Sequence, residues 1–209
     1  PPGASPFVIV TAHDGWEDSR VWQPLIPEWR ELGYGVLNLD FRGFGKSFEN
    51  TDTERFACAS ETPDYSGMPN DIIGAIEFVR KRHQYANTVI VGSGDGADLA
   101  LLVASRDSRV LGVAELAPGA AYPQAAYPGE DIVDILTQYG SRPLLIMTAI
   151  PWTGMERNTH RLIAIVDSLG ASGPNLVHTE YETACGLNFT TLRMIPDVVP
   201  DLNAWLAYV

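Results

Sequence analysis

Basic charge is scarce in this sequence, and cysteine is scarcer. Only 14 of 209 residues are Lys or Arg, against 26 Asp or Glu, which leaves a formal net charge of −12. A surface built to hold nucleic acid or an anionic membrane needs an excess of cations, so this balance argues against both. Two cysteines are too few for a disulfide-built scaffold, and no CxxC pair suggests zinc. No apolar run approaches the roughly 20 residues that span a bilayer. Repeats, heptads and low-complexity tracts are missing as well. What is present, 45% hydrophobic and 19% charged residues, is the composition of a folded globular chain.

The length suits one core, so residues 7–209 are expected to form a single domain. Residues 1–6 (PPGASP) read as a linker or the tail of a processed N-terminal segment. An exported chain, periplasmic or extracellular, fits that reading, and a cytoplasmic one fits if nothing was removed. The sequon Asn188-Phe189-Thr190 matters only in a secretory pathway and is neutral here.

Hydrophobic patterning alternates along the chain. Short β-branched or apolar runs at 7–12, 35–40, 87–92, 110–116, 143–149 and 175–181 read as strands. Between them, helical spacing covers 21–32, 70–83, 97–105, 131–138, 155–169 and 199–207. On the first helix Val21, Leu25, Ile26, Trp29 and Leu32 form the expected inner face; on the second, Ile72, Ile73, Ile76, Phe78 and Val79 do. About six apolar strands separated by helices predict a doubly wound, mostly parallel α/β sheet with helices on both faces. Sites in such sheets lie beyond the carboxyl ends of the strands, so those loops are where function is sought.

Four of those loops, in order, carry a resemblance. After the first strand comes His13-Asp14-Gly15-Trp16, and after the second Asp40-Phe41-Arg42-Gly43-Phe44-Gly45-Lys46-Ser47. After the third comes Gly92-Ser93-Gly94-Asp95-Gly96, and Asn203-Ala204-Trp205-Leu206 closes the chain. Together these resemble the α/β-hydrolase family, in its small lidless esterase or dienelactone-hydrolase-like branch. The octapeptide matches the family's D-x-R-G-x-G-x-S segment at every fixed position. The resemblance implies the family fold without its first strands and without a cap domain. It also implies an oxyanion loop at His13, Asp14 and Gly15, completed by Asp95 after the elbow.

The triad does not come with the fold. The middle of the elbow pattern G-x-S-x-G should hold a serine, and here it is Gly94. The acid position after the fifth strand falls at Trp152, and the histidine position after the last strand falls at Cys185 or Gly186. Triad members act as a unit, so the loss of all three points to a degenerate, non-catalytic hydrolase, a pseudoenzyme. Asp14 and Asp95 flank the amides that would stabilise an oxyanion, and a carboxylate there opposes that stabilisation.

Three other readings stay open. An active serine hydrolase with displaced catalytic residues is the first. The second is a dinucleotide-binding protein, since Gly92, Gly94 and Ala97 satisfy G-x-G-x-x-A after a strand and Glu115 could serve as the ribose acid. As a third, Cys185 could be a relocated nucleophile with His13 as base, a disulfide partner of Cys58, or a small buried residue. Asp14, Asp95 and Asp98 read as turn or surface carboxylates rather than a metal site. No cofactor or metal is expected. The stretch 118–129 (PGAAYPQAAYPG) puts Tyr122, Pro123, Tyr127 and Pro128 at the rim of the former pocket, a composition suited to a protein partner. The expected role is therefore contact with another protein, as an accessory or structural subunit of a larger assembly.

Overall fold

The computed structural model describes residues 7–48, 65–82, 87–119, 129, 131–150, 155–182 and 195–209. Six strands form one sheet: β1 (Phe7–Ala12), β2 (Gly35–Asn38), β3 (Asn87–Ser93), β4 (Val110–Leu116), β5 (Pro143–Ile150) and β6 (Asn175–Glu182). Their order is β2-β1-β3-β4-β5-β6 and every pair is parallel. The doubly wound parallel sheet expected from the alternation is the one observed. β1 is buried at every residue, as a strand covered on both faces must be.

Among the described residues six α-helices accompany the sheet: α1 (Ile26–Glu31), α2 (Met68–Arg82), α3 (Asp95–Arg106), α4 (Ile132–Tyr139), α5 (Met155–Leu169) and α6 (Val198–Tyr208). They divide into two layers. On one face, Val8, Val10, Ile90, Val113 and Ile146 of the strands pack against Ile72, Leu99, Leu102, Leu136, Leu162 and Val166 of α2 to α5. On the other, Ile9, Val89, Val91, Ala114 and Leu145 pack against Trp22, Leu25 and Trp29 near the start of the chain and Leu202, Trp205 and Leu206 of α6.

Two helices differ from the sequence expectation. The span 21–32 is not one helix but a 3-10 turn at Ser19–Trp22 followed by the short α1. Pro24 and Pro27 explain the break, because neither has an N–H to extend an i→i−4 ladder. The inner face shifts accordingly to Trp22, Leu25 and Trp29, while Leu32 is exposed. In α2 the buried stripe is Met68, Ile72, Ala75, Ile76 and Val79, at helical spacing. Ile73 and Phe78, expected inside, fall off that stripe and lie exposed, with the Arg82 guanidinium over the Phe78 ring.

The topology decides where a site can form. The chain runs from β1 outward to β2, then crosses back to place β3 on the other side of β1. Loops leaving β1 and β3 therefore diverge to opposite sides and open a crevice at their carboxyl ends. The first is 13–18 and the second is the turn at Gly94. None of the helices in the described residues is long and apolar enough to cross a membrane.

Candidate functional site

The turn from β3 into α3 is as tight as a strand-to-helix joint can be. A Cβ on Gly92 would lie 2.6 Å from Cα of Ala97, and one on Gly96 would lie 2.5 Å from the carbonyl oxygen of Ala12. Glycine at both positions lets α3 descend directly onto β1 and β3. Between them Gly94 holds φ 51°, ψ −124°, a conformation that side-chain-bearing residues rarely adopt. The sharp elbow backbone is present, and its apex has no side chain.

Asp14, from the loop after β1, occupies the space in front of that apex. A Cβ built on Gly94 would lie 2.5 Å from Asp14 Cγ and 2.6 and 2.7 Å from its two oxygens. Asp14 Oδ1 accepts the N–H of Gly15 at 2.6 Å and the N–H of Asp95, the first residue of α3, at 3.3 Å. Burial pushes the Asp14 carboxyl above its ordinary value, and the two amide bonds pull the other way. The Asp95 carboxylate and the Tyr65 hydroxyl lie against Gly15, 2.3 and 2.9 Å from where a Cβ would stand, so a side chain there would have to displace them.

His13 is fully buried and fixed at both ring nitrogens. Nδ1 lies 2.7 Å from the carbonyl oxygen of Asp14, which can only accept, so Nδ1 carries the proton. Nε2 is then the acceptor for the Phe41 N–H at 3.0 Å. Phe41 and Phe44 meet the ring edge-on at 4.8 and 5.3 Å between centroids. Burial holds its pKa below the ordinary histidine value. With both nitrogens engaged, His13 has no free position from which to take a proton.

The octapeptide is a structural knot around this histidine. Asp40 Oδ1 accepts the N–H of Ser19 at 2.8 Å and Oδ2 that of Lys46 at 3.0 Å, while the Ser47 hydroxyl donates to the Asp40 carbonyl at 3.0 Å. Arg42 forms a forked pair with Asp71 of α2, and its own N–H donates to the same carboxylate at 2.9 Å. These bonds lock the β2 loop to both neighbouring elements and aim the Phe41 N–H at His13.

Where β4 meets α3 lies a pair that the motifs do not bring together. Glu115 of β4, in register with Gly92, is fully buried, and neither carboxylate oxygen has a hydrogen-bond partner among the described residues. Burial first and the neighbouring Asp98 second push its pKa well above the ordinary range. Of the expected turn or surface carboxylates, Asp95 stands at the turn into α3, while neither it nor Asp98 is on the surface, at 6% and 4% exposed. The sequence marks Glu115 only as a possible ribose acid, and its burial beside Asp98 is revealed by the fold alone. Its burial also removes it from the role of ribose acid, which needs a carboxylate open to a ligand.

Of the other residues singled out in the sequence, Ser93 is fully buried. Trp152, Cys185, Cys58, Tyr122, Pro123, Tyr127 and Pro128 lie outside the described residues. Among the described residues no group of three or more His, Cys, Asp or Glu is arranged to hold a metal.

A family model, serine aminopeptidase S33, matches residues 4–160. The chain belongs to the serine aminopeptidase S33 family. The match runs through the β1 loop, the octapeptide and the elbow, and ends before β6. Solved structures of the α/β-hydrolase fold superpose over almost the whole S33 chain. The esterase Pf2001 of Pyrococcus furiosus does so with a TM-score of 0.69 at 13% identity, covering 98% of this chain and 82% of its own. TT1662 of Thermus thermophilus gives 0.68 at 19%, covering 98% and 91%. Dienelactone hydrolase of Anabaena variabilis gives 0.62 at 14%, covering 100% and 88%. At these identities the likeness is one of fold. No curated protein matches the sequence. The six-stranded parallel sheet of this S33 member is therefore an α/β-hydrolase fold.

Proposed function

We propose that this chain is a non-catalytic member of the S33 family, a single domain over residues 7–209 that works through contact with another protein. One observation carries the reading: at the elbow apex, where a hydrolase of this fold holds its nucleophile, stands Gly94 with the Asp14 carboxylate against it. Acyl transfer needs a nucleophile at that point and empty donors beside it for the developing oxyanion. Here the first is missing and the donors are engaged by a carboxylate. His13, the one histidine at the crevice among the described residues, is tied down as a neutral hydrogen-bonding strut.

The contact residues in this reading are Trp16 and, from the sequence alone, Tyr122, Pro123, Tyr127 and Pro128. Trp16 lies in the Asp14 loop and is 72% exposed, and tryptophans are prominent among the residues that anchor protein partners. A Cys58–Cys185 disulfide in an exported chain would belong to the same arrangement.

A second reading, an active serine hydrolase with displaced catalytic residues, is favoured by the family match itself, whose name is that of a peptidase. Short acyl nitrophenyl esters and aminoacyl nitroanilides separate the two. The non-catalytic reading expects no turnover above buffer. Co-purification from the native source is expected to bring down a stoichiometric partner, and Trp16→Ala to weaken that association. Turnover that persists through purification would favour the hydrolase.

A further inference from the structure

Asp14 does more than fill a gap. Its Oδ1 receives two amides from different parts of the chain: that of Gly15, next in sequence, and that of Asp95, 81 residues on. The second bond is long-range and ties the β1 loop to the N-terminus of α3. Both oxygens and Cγ lie within 2.5 to 2.7 Å of where a side chain on Gly94 would begin. One carboxylate thus occupies the volume in front of the elbow and engages the donor pair behind it.

We propose that Asp14 is an internal anion that closes the Gly15–Asp95 amide pair to external carboxylates and other small oxyanions, an autoinhibitory contact built into the β1 loop. The inference rests on the non-catalytic reading and extends it: the donors are kept, and the protein satisfies them itself. The physical ground is competition. A carboxylate tethered beside its donors presents an effective concentration on the order of millimolar or higher without any translational loss, so a free anion of similar chemistry competes poorly. Two amides buried in the fold cannot simply be left unpaired, because each would cost about 1–3 kcal/mol. An anion supplied by the chain meets that requirement permanently. Removing it frees two donors that face one point at a helix start, a setting that binds anions, with the Asp95 carboxylate beside Gly15 as the remaining negative neighbour.

The test uses the full chain and the amide resonances of Gly15 and Asp95, with sodium acetate as probe against sodium chloride at matched ionic strength. Asp14→Asn, nearly isosteric, keeps a carbonyl acceptor but loses the charge; both amide protons are expected to move upfield while acetate still has no effect. Asp14→Ala empties the pocket, and both amides are expected to shift saturably with acetate, with affinity roughly tenfold or more above that of the wild type. Asp14→Ser gives the same readout should the alanine variant not fold. Unchanged amide shifts in Asp14→Asn would overturn the proposal, as would acetate shifts in the wild type equal to those in the emptied variant. Ester turnover by the wild type would sink the non-catalytic reading alone, leaving the amide shifts to judge Asp14.

Discussion

A side chain on Gly94 would begin 2.5 Å from Cγ of Asp14. The two residues come from different strand ends, and each is understandable only with the other. Glycine leaves a hole at the elbow; aspartate fills it and takes up the Asp95 amide at the elbow together with that of Gly15 in its own loop. Restoring one position without the other should therefore fail.

Gly94→Ser alone is expected to destabilise the fold by roughly 2–4 kcal/mol, from a left-handed backbone and a clash with the Asp14 carboxylate. Adding Asp14→Ala should relieve the clash, so the double variant is expected to be more stable than the sum of the singles by about 1 kcal/mol or more. Urea unfolding of the four proteins measures this coupling. Additive effects would place Asp14 away from the elbow in solution.

Glu115 makes a prediction about pH. Its carboxyl is raised in the folded state, so native protein holds a proton that the unfolded chain releases above the ordinary value of 4.5. Its contribution to stability is fully present below that value and is lost as pH rises toward the folded pKa. Glu115→Gln, which needs no proton, should be more stable than the wild type at pH 7, with the difference shrinking toward pH 4. Denaturation midpoints across that range check it, and a constant difference would mean that Glu115 is ionised in the fold.

His13 has the opposite slope. Its folded pKa lies below the ordinary 6.5, so its contribution is present above 6.5 and is lost as pH falls toward the folded value. In solution its ring should titrate below 6.5 and keep the Nδ1–H tautomer, which nitrogen shifts report directly. A midpoint at or above 6.5 would contradict the buried, doubly bonded ring.

The octapeptide should behave as structure. Asp71→Ala removes both the fork with Arg42 and the acceptor for its N–H, at a cost of about 1–2 kcal/mol after allowing for partial exposure of the pair. Arg42→Lys keeps the backbone N–H bond to Asp71 but loses the fork, which an ammonium cannot form, so it should fall between Asp71→Ala and the wild type. Thermal melts of the two variants test the claim, and a lysine variant as stable as the wild type would reduce the fork to a simple charge contact.

Much of the fold is legible in the sequence. Strand positions follow from β-branched runs, and the octapeptide and elbow mark the switch-point loops, because their glycines and turn residues are local requirements. The first helix is not legible in the same way. Its apolar spacing runs through Pro24 and Pro27, whose missing N–H groups outweigh periodicity. In α2, hydrophobicity suggests an inner place for Ile73 and Phe78, yet it does not say which stripe faces the sheet. The site is partly legible: Gly94 declares the missing nucleophile, while the part played by Asp14 does not show. Its sequence position says only that a carboxylate lies near the amides, which suggests opposition to an oxyanion. The long-range bond to the Asp95 N–H makes it the acceptor instead. The Asp98–Glu115 pair is invisible in the sequence for the same reason, since it exists only where β4 meets α3.

The central claim is that no serine in the folded chain is activated. Intact-mass analysis of the wild-type protein after exposure to a fluorophosphonate reads this directly. An unmodified mass at saturating probe is the predicted result. A stoichiometric adduct on any serine, abolished by unfolding the protein first, would contradict it.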